Sequence, residues 1–260
     1  MIGRFASGFA LAALISLAAF RAGALTRGGT VVAAFVGTLA AAAGWSWGAL
    51  LILYFVSSTL LSRIGRARKE IRTAPIVAKT GGRDAIQVLA NGALFAGAAV
   101  VSLIRPDVRW IALGAGALAS SAADTWATEI GTLARDEPRS ILTWRAVPAG
   151  TSGAISLQGT LAMLAGAAFV AVMTLVLGWT VQVAACAAAG GVAGAVVDTI
   201  LGATVQGRRW CEQCARETER LTHDCGTATR PARGVQWMDN DIVNFLSNTA
   251  GGLLAALLLR

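Results

Sequence analysis

Ser120, Ser121, Asp124, Thr125, Thr128 and Glu129 recur at i, i+1, i+4, i+5, i+8 and i+9, a spacing that gathers side chains onto one half-face of a helix. The run that carries them, Trp110 to Leu133, is otherwise mostly apolar. Two carboxylates in lipid surroundings need a cation, a partner charge or water. Pairing with arginines for assembly would satisfy them. So would a divalent-metal or phosphate site near the membrane surface.

Three further polar stripes have the same character. Arg83, Gln87 and Asn91 stand at i, i+4 and i+8 behind Gly81 and Gly82. Glycines let a backbone approach a ligand closely, and a helix start is a natural anion site; polar packing residues give the same pattern. Gly190, Gly194, Asp198, Gly202 and Gln206 share one helix face. Its glycines read as a packing seam, which leaves the acid unexplained. Asp241, Asn244 and Asn248 form the last stripe; helix capping accounts for its first residues but not for the asparagines deeper in. Between these lies Gly150-Thr151-Ser152-Gly153, which suits either a phosphate nest or an ordinary helix cap.

Taken together, Asp124, Glu129, Asp198 and Asp241 are candidate ligands for one or two Mg²⁺ through hard oxygen donors. Arg83 and the glycine-rich turns would neutralise phosphate charge, with Asp124, Asp198 and Arg83 the candidate catalytic set. Gln87, Asn91, Gly150, Thr151, Ser152, Gly153, Gln206, Asn244 and Asn248 are the candidate contacts to substrate or nucleotide. Phosphoryl transfer asks for little beyond positioning and charge stabilisation.

A second cluster is of a different kind. Cys211-x2-Cys214-x8-His223-x-Cys225 offers four ligands of Cys₃His type and includes the chain's one histidine. That set suits tetrahedral Zn²⁺ in a closed, structural site. A disulfide is the alternative, disfavoured in a reducing cytoplasm. Cys186, inside an apolar run, reads as a small packing residue.

The elements that position these groups are membrane helices. Of 260 residues 55% are hydrophobic and 14% charged, where globular domains carry about 25% charged residues. The expected fold is an all-α, polytopic helical bundle forming one membrane domain over 1–260, with a Cys/His loop at 206–240 before the last span. Eight spans are expected: Ile2–Phe20, Thr30–Ala43, Gly48–Leu61, Asp84–Ile104, Trp110–Leu133, Ala154–Leu177, Thr180–Val205 and Asp241–Leu259. The second and third are short for a full crossing. Ala22-Gly23-Ala24 resembles a signal cleavage site, but the spans that follow favour a retained first helix.

Charge sets the expected orientation. The loops at 21–29, 62–83, 134–150 and 206–240 hold 18 Lys/Arg, against 4 (Arg4, Arg105, Arg109 and Arg260) on the opposite side. The rich loops are therefore expected in the cytoplasm, and all the polar stripes enter from that side. Arg63, Arg66, Arg68, Lys69 and Arg72 read as a juxtamembrane anchor to anionic lipid, with steering of an anionic substrate as an added role. The net charge of +8 is explained by topology, and no nucleic-acid-reading module is visible. The Ala/Gly/Arg-rich composition suits a bacterial plasma membrane, and a homo-oligomer is compatible with it.

The motifs Gly82-Arg83-Asp84-Ala85-x-Gln87-Val88-Leu89-Ala90-Asn91-Gly92, Ser121-Ala122-Ala123-Asp124-Thr125-Trp126-Ala127-Thr128-Glu129-Ile130-Gly131, Gly150-Thr151-Ser152-Gly153-Ala154-Ile155-Ser156-Leu157-x-Gly159-Thr160, Asp198-Thr199-x-Leu201-Gly202-Ala203-Thr204-x-Gln206 and Asn240-Asp241-x-Val243-Asn244 occur in this order. In this the chain resembles the integral membrane family long labelled domain of unknown function 92, which includes plant phytyl-phosphate kinase and the animal transmembrane protein 19. The resemblance spans about Gly23 to Gly252. It implies a kinase that takes a prenyl monophosphate, its tail in membrane lipid, and a nucleoside triphosphate, by analogy CTP, to give the lipid diphosphate. Cytidylyl transfer to the same lipid phosphate is the sister reading. A transporter with a mid-membrane polar site and a structural assembly protein with a zinc-pinned loop are the readings from other classes.

Overall fold

The computed structural model describes residues 2–259; Arg260, counted above on the charge-poor side, lies outside them. The described chain is mostly helical, in the order α1 (Ile2–Arg21), α2 (Arg27–Ala43), α3 (Trp45–Arg63), α4 (Arg66–Thr73), α5 (Ala85–Ile104), α6 (Val108–Gly131), α7 (Leu157–Val176), α8 (Val181–Thr204) and α9 (Asn240–Leu258). Every expected span falls on one of the eight long helices. Six of these are long and apolar enough to cross a membrane: α1, α3, α5, α7, α8 and α9. Helix α2 has only 17 residues, about 26 Å at helical rise, and α6 carries the polar stripe.

Helix starts follow local chemistry. Thr26, Ser156 and Thr180 each accept a hydrogen bond from the N–H three residues on, capping α2, α7 and α8. Asp84 and Gln87 form a reciprocal capping box at α5, which satisfies two orphan donors. Asp239 caps α9 by accepting from Asp241 and Ile242.

Helix α6 is the hub. All residues from Ala112 to Ala123 are buried, and α5, α7, α8 and α9 pack around it. Small residues permit the approach. A Cβ at Gly194 would stand 2.2 Å from Ser120 Oγ, and one at Gly190 2.3 Å from the Gly251 carbonyl oxygen, so α8 needs glycine there. At the far end Trp47 packs against Phe95 and Trp179, with centroids 5.0 and 5.6 Å away. Helices α1 and α3 both pack on α2 without extensive contact with each other.

The loops depart from the all-α expectation. Strands β1 (Arg139–Ser140) and β2 (Ala154–Ile155) pair antiparallel. In the 206–240 loop β3 (Arg208–Cys211) lies between β4 (Arg216–Thr218) and β5 (Arg230–Arg233). These segments are too polar to enter lipid, and strand pairing satisfies their backbone groups. Hence the sixth expected span begins, as α7, at Leu157 and not at Ala154.

Candidate active site

A polar cavity of about 720 Å³ opens on the side where α5, α7 and α9 begin and α6 and α8 end. Its lining brings together most of the residues expected from sequence: Arg83, Gln87, Asn91, Asp124, Glu129, Gly150 to Gly153, Asp198, Gln206, Asp241 and Asn244. Asn248 does not line it. One turn deeper, its amide donates to the Ala90 carbonyl (3.1 Å) and to Asn91 Oδ1 (3.3 Å), tying α9 to α5.

The four acids have different surroundings. The carboxyls of Asp124 and Asp198 neighbour each other across α6 and α8, and Ser247 donates to Asp198 at 2.9 Å. Among the described residues neither has an ion-pair partner. Glu129 instead takes Lys69 on one oxygen and Ser62 on the other. Asp241 pairs with Lys79 through Oδ2, while its Oδ1 is buried without a hydrogen-bond partner. The four therefore do not converge at one point. Two adjacent unpaired carboxylates and an orphaned buried oxygen are a donor set that fits a hard divalent cation.

Lys79 and Arg83 are two of the cations that line the cavity. Lys79 bridges Asp241 and Asp84, the latter at 2.8 Å. Burial opposes the charges of Lys79 and Asp84, but the hydrogen bonds of Lys79 to Asp241 and Asp84 outweigh it and raise the Lys79 pKa, while Lys79 and the Gln87 N–H lower that of Asp84. Arg83 lies over the Phe55 ring, 5.7 Å from its centroid. Its backbone is pinned to the α1–α2 turn through Ala24 and Thr26.

The glycine-rich turn is only partly available as a nest. The N–H groups of Thr151 and Ala154 already bond to Pro148 and Thr151 carbonyls. Gly153 has φ +77, and a Cβ there would lie 2.4 Å from that of Ala203, so the turn sits on the end of α8. Ser152 donates to Glu219 at 2.7 Å, and Gln206 does so at 2.9 Å. Glu219 also pairs at 3.3 Å with the fully buried Arg208. Burial raises the Glu219 pKa and lowers that of Arg208 against their mutual attraction. Gln206 thus props a roof in which Arg209 and Glu219 line the cavity.

Beneath the cavity runs a buried chain of hydrogen bonds. Tyr54 and Ser121 share one at 2.7 Å, and Ser121 donates to Asn91 Oδ1 at 2.7 Å. The Asn91 amide donates to the Gln87 carbonyl. Asn91 is therefore largely committed to the scaffold.

In the roof, ligand atoms of Cys211, Cys214, His223 and Cys225 all lie within 4.8 Å of one another. The Cys211 and Cys225 sulfurs are 3.6 Å apart, and His223 Nδ1 is 3.4 Å from Cys225 Sγ. A tetrahedral Zn–S site of about 2.3 Å bonds has S···S edges near this separation. All three cysteines are free thiols, as is the buried Cys186 in α8. The cluster could hold a metal.

The profile of the integral membrane protein family DUF92 matches residues 10–252. The chain belongs to that family. Among its DUF92-like relatives, Protein PGR of Arabidopsis thaliana is 28% identical over 91% of this chain and 90% of its own length. Protein VTE6, chloroplastic, of the same plant is 29% identical over 90% of this chain and 65% of its own length. An uncharacterized membrane protein of Methanocaldococcus jannaschii is 26% identical over 83% of this chain and 77% of its own length. No solved structure matches.

Within this DUF92 chain, two cations were not singled out from sequence. Lys69 belonged to the presumed lipid anchor, yet it is buried and bonded to Glu129. Its signal was the amphipathic octet Arg66–Thr73, which turns one face inward. Lys79 opens the glycine-rich stretch, and only its distant partner Asp241 reveals its place.

Proposed function

We propose that this chain is a Mg²⁺- and nucleotide-dependent kinase that converts a prenyl monophosphate into its diphosphate at the motif face. One observation carries the reading. A single cavity is lined by the unpaired Asp124–Asp198 carboxyls together with Lys79 and Arg83, at the end of a membrane bundle. The family resemblance supplies the lipid phosphate and CTP as substrates, and Protein VTE6 stands in the same family at 29% identity.

In the forward step an oxygen of the lipid phosphate attacks the terminal phosphorus of the nucleotide. The bond from that phosphorus to its bridging oxygen breaks, and a nucleoside diphosphate leaves. The attacking phosphate is already ionised, so no strong general base is needed. Asp124 and Asp198 would hold Mg²⁺, a cation that commonly binds through one or two carboxylates plus phosphate oxygens. When bound, it would neutralise charge on the transferring group. Arg83 and Lys79, which line the same cavity, orient phosphates, and Arg209 and Gln206 line it from the 206–240 loop. We further propose that the Cys₃His cluster takes structural zinc, which fixes that roof.

The 18-to-4 charge bias supports a cytoplasmic motif face; an epitope in the 206–240 loop should be reached only in inside-out vesicles. The activity test is purified protein in detergent with geranylgeranyl or phytyl monophosphate and γ-labelled CTP, with and without Mg²⁺. Mg²⁺-dependent label in the lipid diphosphate is expected. Release of pyrophosphate with a CDP-linked lipid would replace this reading by cytidylyl transfer, and no product with any nucleotide would remove the enzyme.

A further inference from the structure

A second cavity, of about 270 Å³, lies between α1 and α3 and is almost wholly apolar. Leu11 and Ile15 of α1, Ala33 and Val36 of α2, and Ile52 and Phe55 of α3 form its walls. The slot exists because α1 and α3 each pack on α2 but barely on each other. It runs down α3 from Phe55 to Trp45, about 15 Å at helical rise.

The slot adjoins the polar cavity. Arg83, Gln87 and Asn91 line both. Arg83 marks the boundary, since its guanidinium covers the ring of Phe55, which is itself a slot residue. Among the described residues no carboxylate pairs with Arg83. An apolar slot that ends on an uncompensated guanidinium matches an amphiphile with an anionic head and an apolar tail.

We propose that the α1–α3 slot is the subsite for the isoprenoid tail of the lipid monophosphate, with the phosphate held at Arg83 in the polar cavity. The assignment rests on the kinase reading for the identity of the head group. Phosphate and tail are then bound by separate parts of one site. The α1–α2 turn, which pins Arg83 through Ala24 and Thr26, joins the two parts.

The test uses the full-length protein in detergent. A prenyl monophosphate with a diazirine near its tail end is irradiated and the labelled peptides are mapped. Label on α1 and α3 is expected, displaced by geranylgeranyl monophosphate at least about tenfold more effectively than by phosphatidylcholine. Label spread over lipid-facing helices, or displaced equally by phosphatidylcholine, would overturn the proposal and leave an ordinary membrane-lipid contact.

Ala33→Phe and Ala49→Phe fill the slot without touching the polar cavity. KM for geranylgeranyl monophosphate should rise about tenfold or more, while turnover of dimethylallyl monophosphate stays within about twofold of wild type. Should both variants fail to fold, as read from thermal unfolding, the photolabel decides. A labelled slot with no phosphoryl transfer would remove the kinase and keep the lipid-phosphate site. Turnover with label elsewhere would remove the tail assignment and keep the kinase.

Discussion

Ser247 of α9 donates a 2.9 Å hydrogen bond to Asp198 of α8, the acid whose carboxyl neighbours Asp124 of α6. Three helices thus meet at one pair of acids. Charge-stabilising groups at a transferring phosphate are worth on the order of a hundredfold or more in kcat. Asp124→Asn and Asp198→Asn should each lose activity on that scale while keeping a near-wild-type melting temperature. Ser247→Ala removes one hydrogen bond to the Asp198 carboxyl and should lose about tenfold. Transfer assays beside thermal unfolding check this. Full activity in Asp124→Asn would remove that acid from the site.

Lys79 joins two helix starts through Asp84 and Asp241. Asp241 is buried, but Lys79 is 39% exposed and water can partly replace it, so Lys79→Met should cost about 1–3 kcal/mol in stability. Adding Asp241→Asn to that variant should recover much of the stability but not the activity. If the double variant melts no higher than Lys79→Met, the pair is not what holds α5 to α9.

The α6–α8–α9 seam should be intolerant of any side chain. A Cβ at Gly194 would meet Ser120 and the Ser247 carbonyl at 2.2 to 2.8 Å. Overpacking of this kind costs about 1–3 kcal/mol. Gly194→Ala should therefore lower the melting temperature, and Ser120→Gly in the same chain should restore part of it. An unchanged melting temperature for Gly194→Ala would show that the seam opens freely.

Most of the site lay in the sequence as helical stripes. Period alone aligns Asp124 with Ser121, or Asp241 with Asn244 and Asn248, because each stripe lies on one helix. Relations between helices were not legible that way. Nothing in the spacing says that Glu129 meets Lys69 while Asp198 meets Asp124, or that Asn248 faces α5 instead of the cavity. Charge counting treated Arg208 and Lys69 as loop cations, whereas both are buried against carboxylates. Topology statistics weigh a residue by its loop, and the short strands and α4 that carry these cations inward have no hydropathy signal. The apolar slot was likewise invisible, since it arises from two helices that pack on a third and barely on each other.

The Cys/His cluster gives the last prediction. Its four ligand residues lie in the 206–240 loop, whose Glu219 N–H donates to the Ile76 carbonyl and whose Arg209 lines the cavity. Metal binding to such a set is coupled to folding of the segment that carries it. Purified protein should hold about one zinc per chain, and Cys211→Ser should lose it. Because the acids lie on the helices below, removal of zinc should raise KM for nucleotide about tenfold while kcat falls less. A cysteine-reactive dye should then report the Cys214 and Cys225 thiols, which zinc-loaded protein protects. Protein purified without thiol oxidation that holds no zinc, yet shows wild-type KM, would leave the cluster without a metal role, its loop held by the Arg208–Glu219 pair and strand pairing alone.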